Sequence, residues 1–154
     1  MKKLSIIFII IFLFTGCTDY LNIIPLNSKK PNNFYYTEVL LKNLTSKKPE
    51  KCTIIETNFH KEKQLDSTNI SDITKMLKSL DDTNFINIPK DLPAKPTYKI
   101  IFSFHDQKLL INIYNEKYIS VYPWDGDYNM DYISVSKIPI SLNLYNLGNY
   151  IFKH

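Results

Sequence analysis

Arginine is absent from this chain, and all 19 of its basic residues are lysine. The guanidinium fork of arginine makes the bidentate contacts to phosphates and base edges on which much nucleic-acid recognition depends. The formal net charge is only +4, which is small for the basic surface of a nucleic-acid-binding domain. We therefore expect no nucleic-acid partner.

Glycine, histidine and cysteine are also scarce. With three glycines and no glycine-rich run, the chain lacks a loop that could cradle a phosphate. The three histidines, His60, His105 and His154, are scattered, whereas zinc sites need clusters of His and Cys. No nucleophile-elbow motif is present. The sequence predicts no cofactor and identifies no catalytic residue.

No apolar run is long enough to span a bilayer, which takes roughly 20 residues. The longest, residues 4–14, has 11 residues and follows Lys2 and Lys3. This order, a short basic region and then an apolar stretch of about 7–15 residues, is typical of an export signal. Loss of the two lysines with the signal lowers the formal charge from +4 to +2.

The signal ends at "FTGC", residues 14–17, which resembles the lipobox of bacterial lipoproteins. The resemblance implies cleavage after residue 16 and attachment of diacylglycerol to the Cys17 thiol. Phe14 departs from the usual Leu. Two acyl chains hold a protein stably on a membrane, so the membrane is the first expected partner. Cys52 is then left without a disulfide partner and is predicted to be a small buried hydrophobe on a strand.

We predict three regions: a signal peptide, 1–16, a tether, 17–33, and one domain, 34–154. Within the domain, residues 33–44 favour a helix over a strand. Residues 65–80 predict a second helix, capped by Asp66 and carrying an apolar stripe. A third is expected from Pro139 onward.

Short β-branched and aromatic segments separated by turns predict an antiparallel meander. These segments are 52–59, 97–104, 109–114, 118–124 and 131–136. The expected fold class is α+β: a mostly antiparallel sheet of about four to five strands, with two or three helices packed on one face.

Alternation along the strands divides the sheet into two faces. The aliphatic residues should lie under the helices. The opposite face collects four aromatic side chains that we predict to form a ligand-binding surface: Tyr118, Tyr122, Trp124 and Tyr132. Two structural alternatives stay open: tyrosine pairing that only stabilises a half-solvated sheet, or a second core in which residues 34–44 cover this face.

The stretch "VYPWDGDYNMDY", 121–132, also contains oxygen ligands at alternate positions: Asp125, Asp127, Asn129 and Asp131. An EF-hand would need Gly at position 6 and Glu at position 12, where Met130 and Ser136 stand instead. A looser calcium or magnesium loop remains an alternative. The same aspartates could supply a hydrolase, but the simplest interpretation is a solvated turn around Asp125-Gly126.

Together, "FTGC", "FYYTEVL", "KPTYKIIF" and above all "NEKYISVYPWDG", 115–126, resemble a family of small clostridial lipoproteins with a domain of unknown function. The resemblance implies a lipid-anchored protein on the extracytoplasmic face of a Gram-positive membrane, and it transfers no site. We expect a non-catalytic binding module with a cell-wall, peptide or protein ligand. The alternative is an envelope hydrolase or divalent-metal-dependent protein that uses Asp125–Asp131.

Overall fold

The computed structural model describes residues 29–153. The predicted signal peptide, Cys17 and most of the predicted tether lie outside these residues. Within them, no helix combines the length and the apolar character that a membrane crossing requires.

The described residues form three α-helices and seven β-strands. In chain order they are α1 (Tyr35–Ser46), β1 (Lys51–Glu56), β2 (Lys61–Gln64), α2 (Ser67–Lys78), β3 (Phe85–Ile86), β4 (Tyr98–Ser103), β5 (Lys108–Ile113), β6 (Tyr118–Pro123), β7 (Asp131–Ser134) and α3 (Leu144–Lys153). Single 3₁₀ turns at Asp82–Asn84 and Ile140–Leu142 precede β3 and α3.

All seven strands belong to one antiparallel sheet of order β2-β1-β4-β5-β6-β7-β3. The central four follow one another along the chain, so the predicted meander is confirmed. The α+β class is confirmed as well, although the expected four to five strands become seven. The two additional strands are short and lie at the edges, where a strand needs only one partner.

All three helices pack on the aliphatic face, as the alternation predicts. Leu40 of α1, Ile73 of α2 and Leu144 of α3 join one core cluster with Ile111 and Val121 of the sheet. The N-terminal helix therefore does not cover the aromatic face, and the predicted alternative of a second core beneath residues 34–44 is wrong. The aromatic face stays free of helices from the described residues.

Local sequence explains how the helices begin. The Asp66 side chain accepts a hydrogen bond from the Asn69 backbone N–H at 2.8 Å. The Asn69 side chain accepts one from the Asp66 backbone N–H at 3.3 Å, which completes a capping box. Phe34 stands at the N-cap of α1, where no side chain caps the helix. Pro139 precedes a 3₁₀ turn, so α3 begins at Leu144 rather than at the proline.

Candidate functional site

Tyr36 of α1 holds the loop between β6 and β7, residues 124–130. Tyr36 is buried, and its hydroxyl oxygen accepts a hydrogen bond from the Tyr128 backbone N–H at 2.8 Å. The rings of Tyr36 and Tyr128 lie 6.2 Å apart, and Tyr35 meets Tyr128 edge-on at 5.8 Å. Gly126 permits this close approach, because a Cβ there would lie 2.7 Å from the Tyr36 hydroxyl. The helix thus fixes the loop that carries the candidate site.

Trp124, the residue after β6, is 67% exposed. Its backbone N–H donates to the Lys108 carbonyl at 3.0 Å, so the residue extends the ladder with β5. Beside it lies a cleft of about 230 Å³, which we call the aromatic groove. Its lining consists of Tyr122, Pro123, Trp124, Gly126, Tyr128, Asn129, Met130 and Tyr132. Three of the four predicted binding residues therefore meet in one place.

The aromatic groove continues into a second, larger depression of about 650 Å³, which we call the lateral groove. Both are lined by Asn129, Met130 and Tyr132. Residues 29–33 and 86–88 complete the lateral groove, and Ile88 is 61% exposed. Pockets for whole small molecules usually measure roughly 300–1,000 Å³. The aromatic groove therefore fits one ring or side chain of an extended ligand, and the lateral groove offers room for its continuation.

A buried polar cluster lies on the same face of the sheet. Asn112 of β5 pairs with Ser120 of β6, which pairs in turn with Tyr132 of β7. Asn112 is 4% exposed and Ser120 is fully buried. The Asn112 amide nitrogen donates to Ser120 Oγ at 3.3 Å, while Met130 Sδ lies 3.4 Å from the same hydroxyl. Asn112 Oδ1 is the one buried side-chain polar atom within residues 29–153 that lacks a hydrogen-bond partner.

Tyrosine hydroxyls surround this cluster. Burial raises the pKa of Tyr122, which the Asn112 amide lowers in part and Tyr114 raises further. Burial likewise raises the pKa of Tyr132, with Tyr114 adding to the effect. The Asn112 amide nitrogen lies 3.5 Å from the Tyr114 hydroxyl. The phenols of Tyr122 and Tyr132 therefore remain neutral at physiological pH and can both donate and accept.

Tyr118, the fourth predicted binding residue, does not line the aromatic groove. Its hydroxyl donates to the Asp91 carboxylate at 3.4 Å. That hydrogen bond is the main cause of the raised pKa of Tyr118. Tyr118 pairs with Ser134, at the other end of β6 from Trp124. It shares the face of the site but not its cleft.

The acidic turn does not bring its carboxylates together. Asp125 and Asp127 are exposed, whereas Asp131 is fully buried on the helix face of β7. Across residues 29–153, no group of three or more His, Cys, Asp or Glu side chains could hold a metal ion. The burial of Asp131 therefore separates it from the exposed Asp125 and Asp127, with which it was predicted to form an alternative metal loop.

Asp131 is bound instead by partners of the N-terminal region. One carboxylate oxygen accepts from the Thr37 backbone N–H at 2.7 Å and from its hydroxyl at 2.8 Å. The other forms an ion pair with Lys30, which also donates to the Asn129 carbonyl at 2.9 Å. Burial raises the pKa of Asp131 despite the opposing effects of Lys30 and Thr37. The end of the predicted tether is thus attached to the domain beside the two grooves.

Cys52 is 2% exposed, and burial raises the pKa of its thiol to about 12. The reactive form of cysteine is the thiolate, which this site suppresses. Cys52 therefore fills the core, as a small hydrophobe on a strand should.

The positions of Asp131 and Asn112 could be predicted from the sequence only in part. Alternation with Ile133 places Asp131 on the core face, which argues against a role in a surface metal loop. Alternation also puts Asn112 on the aromatic face, but its burial follows from long-range strand pairing. No local pattern pointed to Lys30 or Met130, because their contacts join segments that are distant in sequence.

Comparison with known proteins places the chain in a family. Residues 30–148 match the family model "Domain of unknown function (DUF4883)". No curated protein matches the chain. The crystal structure of a "putative lipoprotein" from Clostridium perfringens is 36% identical in sequence, with a TM-score of 0.72, and the match covers 82% of this chain and all of that one. The chain belongs to the family that carries this domain of unknown function.

Proposed function

We propose that this protein is a lipid-anchored, extracytoplasmic binding module that holds a cell-wall component in its aromatic groove. The observation that carries the proposal is Trp124, which is 67% exposed in a cleft that Tyr122 and Tyr132 also line. An exposed tryptophan on a concave surface that other aromatic side chains line is typical of a binding site. Such a side chain is costly to leave in water unless a ligand covers it.

Two findings support the location. The "FTGC" sequence, residues 14–17, offers Cys17 for diacylglycerol. The similar Clostridium perfringens protein is described as a "putative lipoprotein". A module held by lipid on the outer face of the membrane lies next to the cell wall, where a groove that faces away from the core helices is accessible to wall polymers.

The proposal is tested by co-sedimentation of the full chain, purified in detergent, with insoluble cell-wall sacculi. We expect wild type to sediment with the walls and the double variant Trp124→Ala/Tyr132→Ala to remain in the supernatant. Phe59→Ala is the matched control, because Phe59 is 78% exposed and lies between β1 and β2, away from the groove. It should sediment like wild type.

Equal sedimentation of wild type and the double variant would show that the groove is not the binding surface. If wild type stays in the supernatant, the proposed function is wrong. Trp124 is the single tryptophan, so its fluorescence reports occupancy directly. A change on addition of solubilised wall fragments that disappears in Tyr132→Ala would support the proposal independently.

A further inference from the structure

We infer that the ligand of the groove is the glycan of the cell wall, an uncharged N-acetylated sugar chain, and that Asn112 binds one of its polar groups after Met130 moves aside. The inference rests on the proposed binding function and names its ligand class. It is carried by the chemistry of the lining and by the unpartnered amide oxygen beneath it.

The lining of the aromatic groove contains no ionisable charge at neutral pH. Its side chains are aromatic rings, a proline ring, a thioether and the Asn129 amide, and burial keeps Tyr122 and Tyr132 protonated. An anionic or cationic ligand would be desolvated here without a counter-charge, which is unfavourable. A neutral sugar has a small desolvation cost, because its apolar ring face can pack on Trp124 while its hydroxyl groups form hydrogen bonds with amides and hydroxyls of the protein.

Asn112 adds an observation that packing alone does not explain. Its Oδ1 is buried and has no hydrogen-bond partner within the described residues. Leaving such an acceptor unpaired destabilises a fold. An apolar residue at this position would avoid that penalty. A buried polar group without a partner calls for an explanation, and a ligand group that pairs with it supplies one.

Met130 separates the polar cluster from the aromatic groove. Its thioether lies 3.4 Å from Ser120 Oγ and 3.8 Å from the Asn112 amide nitrogen, and it lines both grooves. Sulfur is a weak hydrogen-bond acceptor, and the unbranched Met side chain changes rotamer easily. A ligand oxygen that replaces the sulfur as acceptor would exchange a weak hydrogen bond for a strong one.

The acetamido group fits this arrangement better than a plain hydroxyl. Its carbonyl oxygen is an acceptor for the Ser120 hydroxyl and the Asn112 amide nitrogen, the two groups that Met130 Sδ contacts. Its N–H is the kind of donor that Asn112 Oδ1 lacks, and its methyl group fits the space that Met130 occupies. The lateral groove, about 650 Å³ in volume, continues from Tyr132 and provides room for neighbouring sugar units. These features together favour a chain of N-acetylated sugars over cellulose-like glucans.

The experiment is a titration of the full chain, followed by Trp124 fluorescence, with a tetrasaccharide of β-linked N-acetylglucosamine. Cellotetraose, which has the same linkage without acetamido groups, and an alanine-rich tetrapeptide serve as comparison ligands. We expect saturable binding of the first, at least about tenfold weaker binding of cellotetraose, and no response to the peptide. Equal binding of the two sugars would overturn the role of the acetamido group.

Asn112→Leu tests the amide directly. We expect affinity for the N-acetylglucosamine tetrasaccharide to fall about tenfold, the effect of one lost hydrogen bond. Urea unfolding checks that the variant is folded, because the substitution removes both the unpartnered oxygen and the hydrogen bond from the amide nitrogen to Ser120 Oγ. Phe59→Ala should bind like wild type. Unchanged affinity in Asn112→Leu would overturn the assignment of Asn112.

Met130→Leu provides a second test that leaves the strands β5 and β6 intact. Leucine has similar bulk but a branched, stiffer side chain. It should weaken sugar binding without changing the unfolding midpoint, and wild-type affinity would contradict the movement of Met130.

If walls sediment the protein but only the peptide binds the groove, the glycan inference fails while the proposed function stands. If neither walls nor sugars bind, both fail.

Discussion

At the scale of single residues, Asp131 shows how burial and charge oppose each other. Its carboxylate is fully buried, yet it has an ion-pair partner in Lys30 and two donors in Thr37. Burial nevertheless dominates and raises its pKa. The residue therefore joins the N-terminal segment to β7 while making the fold sensitive to pH.

Asp131→Asn removes this titration and preserves the shape of the side chain. An aspartate in an unfolded chain titrates near pH 3.9. Because the folded-state pKa of Asp131 is higher, the folded wild type binds more protons than the unfolded chain just above that pH, and its stability falls as pH rises. We expect the free energy of unfolding of wild type, relative to Asp131→Asn, to decrease from about pH 4 until Asp131 is ionised. Urea unfolding over a pH series measures it.

Asp106→Asn is the control of opposite sign. Asp106 is exposed, and its hydrogen bond with Lys47 is the main cause of its lowered pKa. Its stabilising contribution is therefore present at neutral pH and disappears as pH falls through the folded-state pKa. If the stability differences of the two variants changed with pH in the same direction, our account of Asp131 would be wrong.

Sequence reasoning reached part of this residue-scale chemistry. Strand alternation identified the aromatic face, and the structure brings Tyr122, Trp124 and Tyr132 together on it. Alternation with Ile133 also places Asp131 on the core face, apart from Asp125 and Asp127 in the turn. Its partner could not be predicted, because Thr37 reaches Asp131 only through the position of α1 beside β7.

At the scale of elements, a helix or strand could be predicted from the sequence where its determinants lie within the element itself. Asp66 and Asn69 form their capping box within one turn, and the sequence predicted the helix they begin. The strand β2, "KEKQ", has four exposed residues and no apolar alternation. It exists because β1 offers it a free edge, and its charges discourage pairing with another chain.

At Gly148 in α3, a neighbouring side chain determines which residue fits. Glycine weakens a helix interior by about 1 kcal/mol relative to alanine. Here a Cβ would lie 2.5 Å from Cδ2 of Tyr98. The Tyr98 ring cannot retreat easily, because it stacks on Phe152 at 5.8 Å and its hydroxyl donates to Asn149 at 2.9 Å.

We expect Gly148→Ala to destabilise the protein by about 1–3 kcal/mol, the usual cost of overpacking, despite the better helix propensity of alanine. Thermal or urea unfolding measures the change. In a Tyr98→Ala background the same substitution should be neutral or stabilising, since the clash is gone. A loss of equal size in both backgrounds would show that Tyr98 is not the cause.

At the scale of the whole molecule, one sheet presents two different faces. Helices cover the first with a conventional apolar core. On the second, Leu110, Asn112, Tyr114 and Ser120 are also buried, and Met130 of the loop contacts Asn112 and Ser120. The sequence predicted both faces, but the grooves required the register of β5, β6 and β7, which no local pattern supplies.

The proposed anchor makes a prediction at this scale. Cys17→Ala should abolish labelling of the protein with radioactive palmitate, because the buried Cys52 thiol cannot replace the Cys17 thiol. Without the lipid, the protein should move from the membrane fraction to the soluble fraction. Cys52→Ala is the matched control: its thiol is buried in β1, so labelling should persist. If Cys17→Ala protein that lacks residues 1–16 stayed in the membrane fraction, lipid anchoring would be contradicted.

The attachment of Lys30 also has a mechanical consequence. In a chain anchored at Cys17, tension from the envelope enters the domain at Lys30. From there it passes to Asp131 in the sheet and to the Asn129 carbonyl in the loop beside the groove. The load therefore enters β7, which pairs with both β6 and β3, and not a strand at the edge of the sheet. It also pulls on the loop that lines the groove, so force on the tether and occupancy of the groove would be coupled.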